Sequence, residues 1–145
     1  MSFGWWEHKV QSSFLMKLYT MLFGVPDLHS HIRFRACKKL FQHKSRNVEV
    51  GAGSGIMSLG FYYVTKRPII AIAYTNEEFK NLKEKVKKLG LDHVIKVMQG
   101  DAMCIDFLLK RRSIEQVLLI DVLEHVHNDL KALRAINNVL VPGGY

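Results

Sequence analysis

The chain has 145 residues, 48% of them hydrophobic and 23% charged, which is typical of one folded domain and excludes a disordered tail or a coiled coil. It has 21 Lys and Arg residues against 13 Asp and Glu, a formal net charge of +8, and most of the excess lies in the first third of the chain. The two cysteines, Cys37 and Cys104, form no C-x-x-C or zinc-finger spacing, a pattern typical of reduced thiols in a cytoplasmic protein, with one long-range disulfide as the alternative.

The N-terminal part of the sequence predicts an amphipathic helix over about residues 9–23, because apolar residues recur at every fourth position from Val10 to Leu22. The apolar stretch around it is interrupted by Lys17 and is too short to span a bilayer. The first residues also lack the basic leader and cleavage site of a secretory signal. We therefore expect a cytoplasmic protein without a transmembrane segment.

A second helix is predicted from a cap at Ser30 onward. Its buried stripe is expected to consist of Ile32, Ala36, Cys37, Leu40 and Phe41. Its basic side chains are expected to face solvent, namely Arg33, Arg35, Lys38 and Lys39. The two helices together make residues 1–46 a helical extension, which could form a lid over an apolar acceptor, pack on the core or make a dimer contact.

From residue 47 onward, short β-branched runs alternate with helical patterns, which indicates βαβ units and a parallel sheet. Strands are predicted over residues 47–51, 69–74, 94–98 and 116–121. A helix between the second and third strands begins at a capping box formed by Thr75 and Glu78 and ends at Gly90. A last helix is predicted over about residues 128–140, with an inward stripe of Leu130, Leu133, Ile136 and Leu140.

A glycine-rich loop with Gly51, Gly53 and Gly55 follows the first predicted strand. Glycines at such a turn let the backbone bend sharply and let a ligand approach the main chain. A dinucleotide fingerprint would need its third glycine at the position of Ile56, so the spacing disfavours NAD. No P-loop lysine follows Gly55 either.

Four segments in this order resemble the motifs of class I S-adenosylmethionine-dependent methyltransferases. They are the E-x-G-x-G-x-G pattern of residues 49–55, Q-G-D-A at residues 99–102, D-V-L-E-H-V at residues 121–126 and L-V-P-G-G at residues 140–144. The resemblance covers about residues 47–145. It implies a Rossmann-like, doubly wound and mostly parallel α/β sheet, with strand order 3-2-1-4-5-7-6, that binds S-adenosylmethionine.

The resemblance also implies roles for individual residues in cofactor binding. The methionine moiety would lie against the glycine loop, formed by Gly51, Ala52, Gly53 and Gly55. The Glu49 carboxylate would place its ammonium group, which suits a cofactor that carries a sulfonium and an ammonium but no phosphate. Asp101 would accept a hydrogen bond from the exocyclic amine of the adenine, with Ala102 beside it.

The end of the second strand departs from the family pattern. The family usually has an acid there that binds both ribose hydroxyls, and the matching positions hold Ala73 and Tyr74. A charge-assisted hydrogen bond is therefore missing unless Thr75, Glu77 or Glu78 replaces it.

Methyl transfer from a sulfonium needs mainly alignment and, for a hydroxyl acceptor, a base. We expect His125 to be that base, with Asp121 lining the catalytic and cofactor-binding site, although a packed histidine and a helix-start carboxylate are the structural alternatives. The two-residue spacing of His125 and His127, or of His29 and His31, offers too few ligands for zinc, so no metal site is expected.

The acceptor is open at this stage. The Asn-Pro-Pro-Tyr type motif for planar amines is absent after the fourth strand, which favours an oxygen or carbon of a small molecule. The basic N-terminal third keeps RNA as an alternative acceptor, and Ala73 keeps open a cofactor-binding module without turnover.

The sequence ends at Tyr145, where a fifth strand is expected to begin, so only the cofactor-binding half of the family fold is predicted. An open fourth strand would leave an apolar edge over residues 117–120. We therefore expect either a piece of a longer enzyme or a homodimer formed through that edge.

Overall fold

The computed structural model describes residues 28–145, so the helix predicted over about residues 9–23 lies outside the described part of the chain. The strands of this part are β1 (Asn47–Val50), β2 (Ile69–Ala73), β3 (Ile95–Gln99) and β4 (Gln116–Leu119). Its α-helices are α1 (Leu28–Cys37), α2 (Ile56–Thr65), α3 (Asn76–Lys88) and α4 (Asp129–Val139). Short 3-10 helices cover Lys38–Leu40, Ala102–Phe107 and Leu123–His125.

The four strands form one parallel sheet in the order β3-β2-β1-β4, which confirms the predicted fold class and the predicted order of these strands. Val50 at the end of β1 lies between Ile72 of β2 and Leu119 of β4. The chain moves outward from β1 to β3 and then returns to the other side of β1, so the strand order reverses between β1 and β4. Ligands of open parallel sheets bind at such a reversal, beyond the carboxyl ends of the strands.

Helices cover both faces of the sheet, and all four residues of β1 are buried as a result. On one face α4 and the 3-10 helix Ala102–Phe107 pack against Val48, Val50 and Ile72. On the other face α2 and α3 pack against Ala71 and Leu118. The predicted capping box of α3 is present, with Thr75 and Glu78 bonded to each other's backbone N–H groups, and Gly90 ends the helix at a φ of 67°.

The buried stripe of α4 differs from the prediction. Leu130 and Leu133 are 62% and 43% exposed. The core is instead contacted by Ala132, Ala135, Ile136 and Val139. The helical period is kept, but two of the stripe positions hold alanine, which lets α4 pack closely on the 3-10 helix Ala102–Phe107. Asn138 of α4 also donates a hydrogen bond to Asp106 of that 3-10 helix at 3.0 Å.

The prediction for the buried face of α1 is also wrong in part. Ile32 and Leu40 are 57% and 55% exposed, whereas Phe41 is buried and Cys37 is half-buried. Ala36 is exposed as well. The helix docks through Phe34, which fills a notch on α2: a Cβ built on Gly60 would lie 2.1 Å from the Phe34 ring.

The outer edge of β4 is met by the last residue of the sequence. Tyr145 N–H donates to the Glu115 carbonyl at 3.0 Å, and Val117 N–H donates to the Tyr145 carbonyl at 2.8 Å, which is the pairing of a parallel neighbour. Cys37 and Cys104 are both free thiols. Among residues 28–145, no helix is both long enough and apolar enough to cross a membrane.

Candidate functional site

A cavity of about 310 Å³ opens at the carboxyl ends of the strands, where the strand order reverses. Six residues singled out from the sequence line it, namely Gly51, Tyr74, Asp101, Ala102, Asp121 and His125. They come from loops that follow four different strands, so the parallel sheet is what brings them together. The other sequence-predicted residues, Glu49, Ala52, Gly53, Gly55 and Ala73, lie behind or beside this wall rather than in it.

The glycine loop has the tight geometry that its sequence predicts. Gly51, Gly53 and Gly55 have φ angles of 76°, 48° and 81°, a region that side chains disfavour. The N–H groups of Gly51 and Ala52 both donate to the Ile72 carbonyl, at 2.9 and 2.8 Å, which ties the loop to β2. A Cβ on Gly51 would lie 2.4 Å from the Val122 side chain, so the loops after β1 and β4 touch at this glycine.

Glu49 is a buried acid in the middle layer of the fold, only 3% exposed. Its carboxylate accepts a hydrogen bond from the Ser58 hydroxyl of α2. Burial raises the pKa of Glu49 from 4.5 to about 7, and the Ser58 hydrogen bonds oppose that rise. The contact between Glu49 and the ammonium group of the cofactor stays a prediction.

At the end of β2 the structure offers little polarity of its own. Ala73 is fully buried, and its carbonyl accepts from Gly100 N–H at 2.9 Å, while Tyr74 is 64% exposed. Of the three residues considered as replacements for the missing acid, Glu78 lines the cavity. The sequence predicts the capping box and names three candidates for the missing acid, but it does not show which of the three reaches the cavity.

The loop after β3 is held by Asp101. Its carboxylate caps the 3-10 helix Ala102–Phe107 by accepting from Met103 N–H at 2.8 Å. Gly100 precedes it at a tight contact, because a Cβ there would lie 2.2 Å from Leu108. Asp101 therefore reaches the cavity with a fixed orientation.

Asp121 lies just beyond β4 with a φ of 53°, an uncommon value for a residue with a side chain. It forms an ion pair with Arg33 of α1, which the sequence placed toward solvent. The pair ties α1 to a residue of the cavity wall. Burial raises the pKa of the nearby Cys37 thiol, the negative charges of Asp121 and Glu49 add to that effect, and Arg33 opposes it.

His125 closes the 3-10 helix after β4 and lines the same cavity as Asp121. Its backbone N–H is bonded to the Val122 carbonyl at 3.0 Å, which fixes the turn that presents it. His127 and Val126 also line the cavity and were not assigned to it from the sequence. Within the part of the chain that the structure describes, no group of three or more His, Cys, Asp and Glu side chains could hold a metal ion.

Known structures share this fold. The YcgJ protein from Bacillus subtilis superposes with a TM-score of 0.70 at 21% identity, over 79% of this chain and 48% of that chain. A SAM-dependent methyltransferase from Aquifex aeolicus gives 0.68 at 22% identity, over 85% and 67%. A methyltransferase from Podospora anserina, PaMTH1, solved with S-adenosylhomocysteine bound, gives 0.62 at 17% identity, over 96% and 57%.

The chain thus spans about half the length of the Bacillus subtilis protein that it resembles. None of the curated proteins compared with it matches. The family model described as a methyltransferase domain matches residues 48–145, which begin in β1 and include every loop around the cavity. This match covers more than half of the sequence and agrees with the observed strand order, so the chain belongs to the methyltransferase domain family.

Proposed function

We propose that this protein binds S-adenosylmethionine in the cavity at the carboxyl ends of β1 and β4 and transfers its methyl group to an oxygen or carbon of a small molecule. The observation that supports this most is the cavity itself, which collects Gly51, Asp101, Asp121 and His125 around one space in a chain of the methyltransferase domain family. Its volume of about 310 Å³ is within the range of small-molecule sites.

The residues present fit this cofactor. Gly51 forms part of the cavity wall with main chain only, because a Cβ there would lie 2.4 Å from Val122, and a ligand can therefore approach the backbone closely at this point. The ionisable groups on the wall include the carboxylates of Glu78, Asp101 and Asp121, which suit a ligand with two cationic groups and several hydrogen-bond donors. When bound, S-adenosylmethionine supplies a methyl group on a good leaving group.

The chain's own residues would then align the acceptor and hold its proton. His125 lines the cavity beside Asp121 and is the candidate base for a hydroxyl acceptor. Asp121 is held by Arg33, so α1 would help to keep water from the mouth of the cavity. An RNA-binding surface would depend on the basic side chains of the N-terminal third. Arg33 is one of them, and it is engaged by Asp121 in this ion pair.

The first test is calorimetric titration of the purified protein with S-adenosylmethionine, S-adenosylhomocysteine and NAD in parallel. We expect binding of the first two alone. Binding of NAD alone, or of none of the three by folded protein, would overturn the proposal.

The second test uses methyl-labelled S-adenosylmethionine with separate pools of phenols, carboxylic acids, carbon nucleophiles and RNA. We expect label in a small-molecule pool, with His125→Asn lowering kcat by about 10²-fold or more while the Kd for S-adenosylhomocysteine changes little. The control is His93→Asn, because His93 is exposed and does not line this cavity. Label in RNA alone, or tight cofactor binding without any product, would reject the small-molecule acceptor.

A further inference from the structure

One carboxylate on the cavity wall, that of Glu78, has not been matched to a particular group of the cofactor. Glu78 lies in the first turn of α3, and its Oε2 atom accepts from Thr75 N–H at 3.0 Å in the capping box. Its other oxygen, Oε1, faces the glycine loop and lies 4.0 Å from the position of a Cβ built on Gly53. Among the described residues, no hydrogen bond is made to Oε1.

The position of this carboxylate relative to the loop is well defined by α3. Three residues at helical spacing on α3 face three successive residues of the glycine loop. Glu78 faces Gly53, Leu82 packs at Gly55, and Lys85 Nζ donates to the Ser54 carbonyl at 2.8 Å. A ligand that enters between the loop and α3 would therefore meet a carboxylate already held in place, which lowers the entropy lost on binding.

The strand order indicates which part of the cofactor would meet it. The glycine loop follows β1 and is expected to hold the methionine end, whereas Asp101 follows β3 and is expected to hold the adenine. Glu78 follows β2, which lies between β1 and β3 in the sheet. The group between methionine and adenine is the ribose, whose two adjacent hydroxyls are donors that a carboxylate can accept with its free lone pairs.

We propose that the Glu78 carboxylate binds the ribose hydroxyls of S-adenosylmethionine while it continues to cap α3. This inference rests on the proposed function. Ala73 at the end of β2 is fully buried and has no polar side chain that could bind the ribose. The inference assigns that contact to the first turn of α3 instead. The cap and the ligand site then share one side chain, so cofactor binding also stabilises the N-terminus of α3.

The test compares Glu78→Gln with Glu77→Gln. Glutamine serves in a capping box as glutamate does, so Glu78→Gln keeps the cap and removes the charge. Glu77 is the neighbouring acid of the same helical turn, exposed and outside the cavity wall, so Glu77→Gln makes the same charge change at the same helix end. Equal melting temperatures for the two variants show that the cap is intact.

The probes are S-adenosylhomocysteine and its 2′-deoxy and 3′-deoxy ribose forms. We expect Glu78→Gln to weaken binding of S-adenosylhomocysteine by about tenfold and Glu77→Gln to leave it unchanged. Loss of a ribose hydroxyl should weaken binding by about tenfold in the natural protein and in Glu77→Gln, but by threefold or less in Glu78→Gln.

Non-additivity of this kind needs a contact between the side chain and the hydroxyl, because a purely structural role for Glu78 would weaken all three probes by the same factor. Equal factors, or no loss of affinity in Glu78→Gln, would overturn the inference and leave the proposed function standing. Failure of the natural protein to bind S-adenosylhomocysteine at all would overturn both.

Discussion

Among the ionisable residues that the structure describes, Glu49 is a carboxylate only 3% exposed to solvent. It lies in β1 with buried residues on either side, and the Ser58 hydroxyl donates to its carboxylate. A hydrogen bond from one hydroxyl offsets only part of the free energy lost when a carboxylate leaves water. The acid is therefore partly protonated near neutral pH, and its charge depends on what binds nearby.

We predict that Glu49 makes stability fall as the pH rises. The pKa of Glu49 is about 7 in the folded chain, above its ordinary value of 4.5, so between these pH values the folded state binds more protons than the unfolded state. The free energy of unfolding then decreases with pH through this window, by about 3 kcal/mol in total. Glu49→Gln lacks this proton, so its stability relative to the natural protein should rise by that amount between pH 4.5 and pH 8.

Urea unfolding at several pH values measures this difference, and the comparison cancels the groups common to both proteins. Glu84→Gln is the control, because Glu84 is exposed on α3 and its pKa is lowered by Lys88 rather than raised by burial. Parallel pH profiles for the natural protein and Glu49→Gln would show that the carboxylate is not titrating in this range.

At the scale of the elements, the sequence predicts where strands and helices lie better than it predicts which face they bury. All four strands and the capping box of α3 occur where β-branched runs and Thr75 place them, because those signals are local. The inward stripes of α1 and α4 depend on the partner surface. Gly60 makes room for Phe34, and close packing favours Ala132 over the larger Leu133, neither of which hydrophobicity alone can show.

The candidate site follows the same rule. The glycine loop and the motifs around Asp101 and Asp121 are contiguous segments, so the sequence alone predicts them. The packing of α3 puts Glu78 on the cavity wall, and the packing of α1 pairs Arg33 with Asp121 of that wall, so neither position can be read from the sequence alone.

A matched pair of glycines tests how tightly the loop packs on α3. Gly55 and Gly90 both have positive φ angles, 81° and 67°, but a Cβ on Gly55 would lie 2.2 Å from Leu82 whereas one on Gly90 would meet nothing within 4 Å. We expect Gly90→Ala to lose about 1 kcal/mol of stability from the backbone conformation alone. Gly55→Ala should lose roughly 1–3 kcal/mol more because Leu82 must move.

Chemical denaturation gives both values, and the Kd for S-adenosylhomocysteine gives the functional consequence. Displacement of Leu82 would shift α3 away from the loop, so Gly55→Ala should also weaken binding, while Gly90→Ala should not. Equal losses of stability in the two variants would mean that the contact between Gly55 and Leu82 is loose.

At the scale of the whole molecule, the cavity belongs to both sides of the sheet. Gly51, Tyr74 and Asp101 follow β1, β2 and β3, while Asp121 and His125 follow β4 on the other side of β1. Arg33 adds α1 to the same assembly through its ion pair with Asp121. A ligand in the cavity would therefore hold together segments that are far apart in sequence.

We predict that S-adenosylhomocysteine slows hydrogen exchange on both sides of the cavity at once. At a hundredfold excess over its Kd, a ligand that binds only the folded state adds about 3 kcal/mol to the free energy of unfolding. Because the site is lost if either side opens, backbone amides near residues 50–56, 99–104 and 119–127 should all exchange more slowly. The internal reference is the opposite end of the sheet, around residues 92–96, where amides that exchange by local opening, with the ligand still bound, should gain no protection. Protection confined to residues 50–56 would show that the ligand engages the glycine loop alone and that the loops after β3 and β4 take no part in binding.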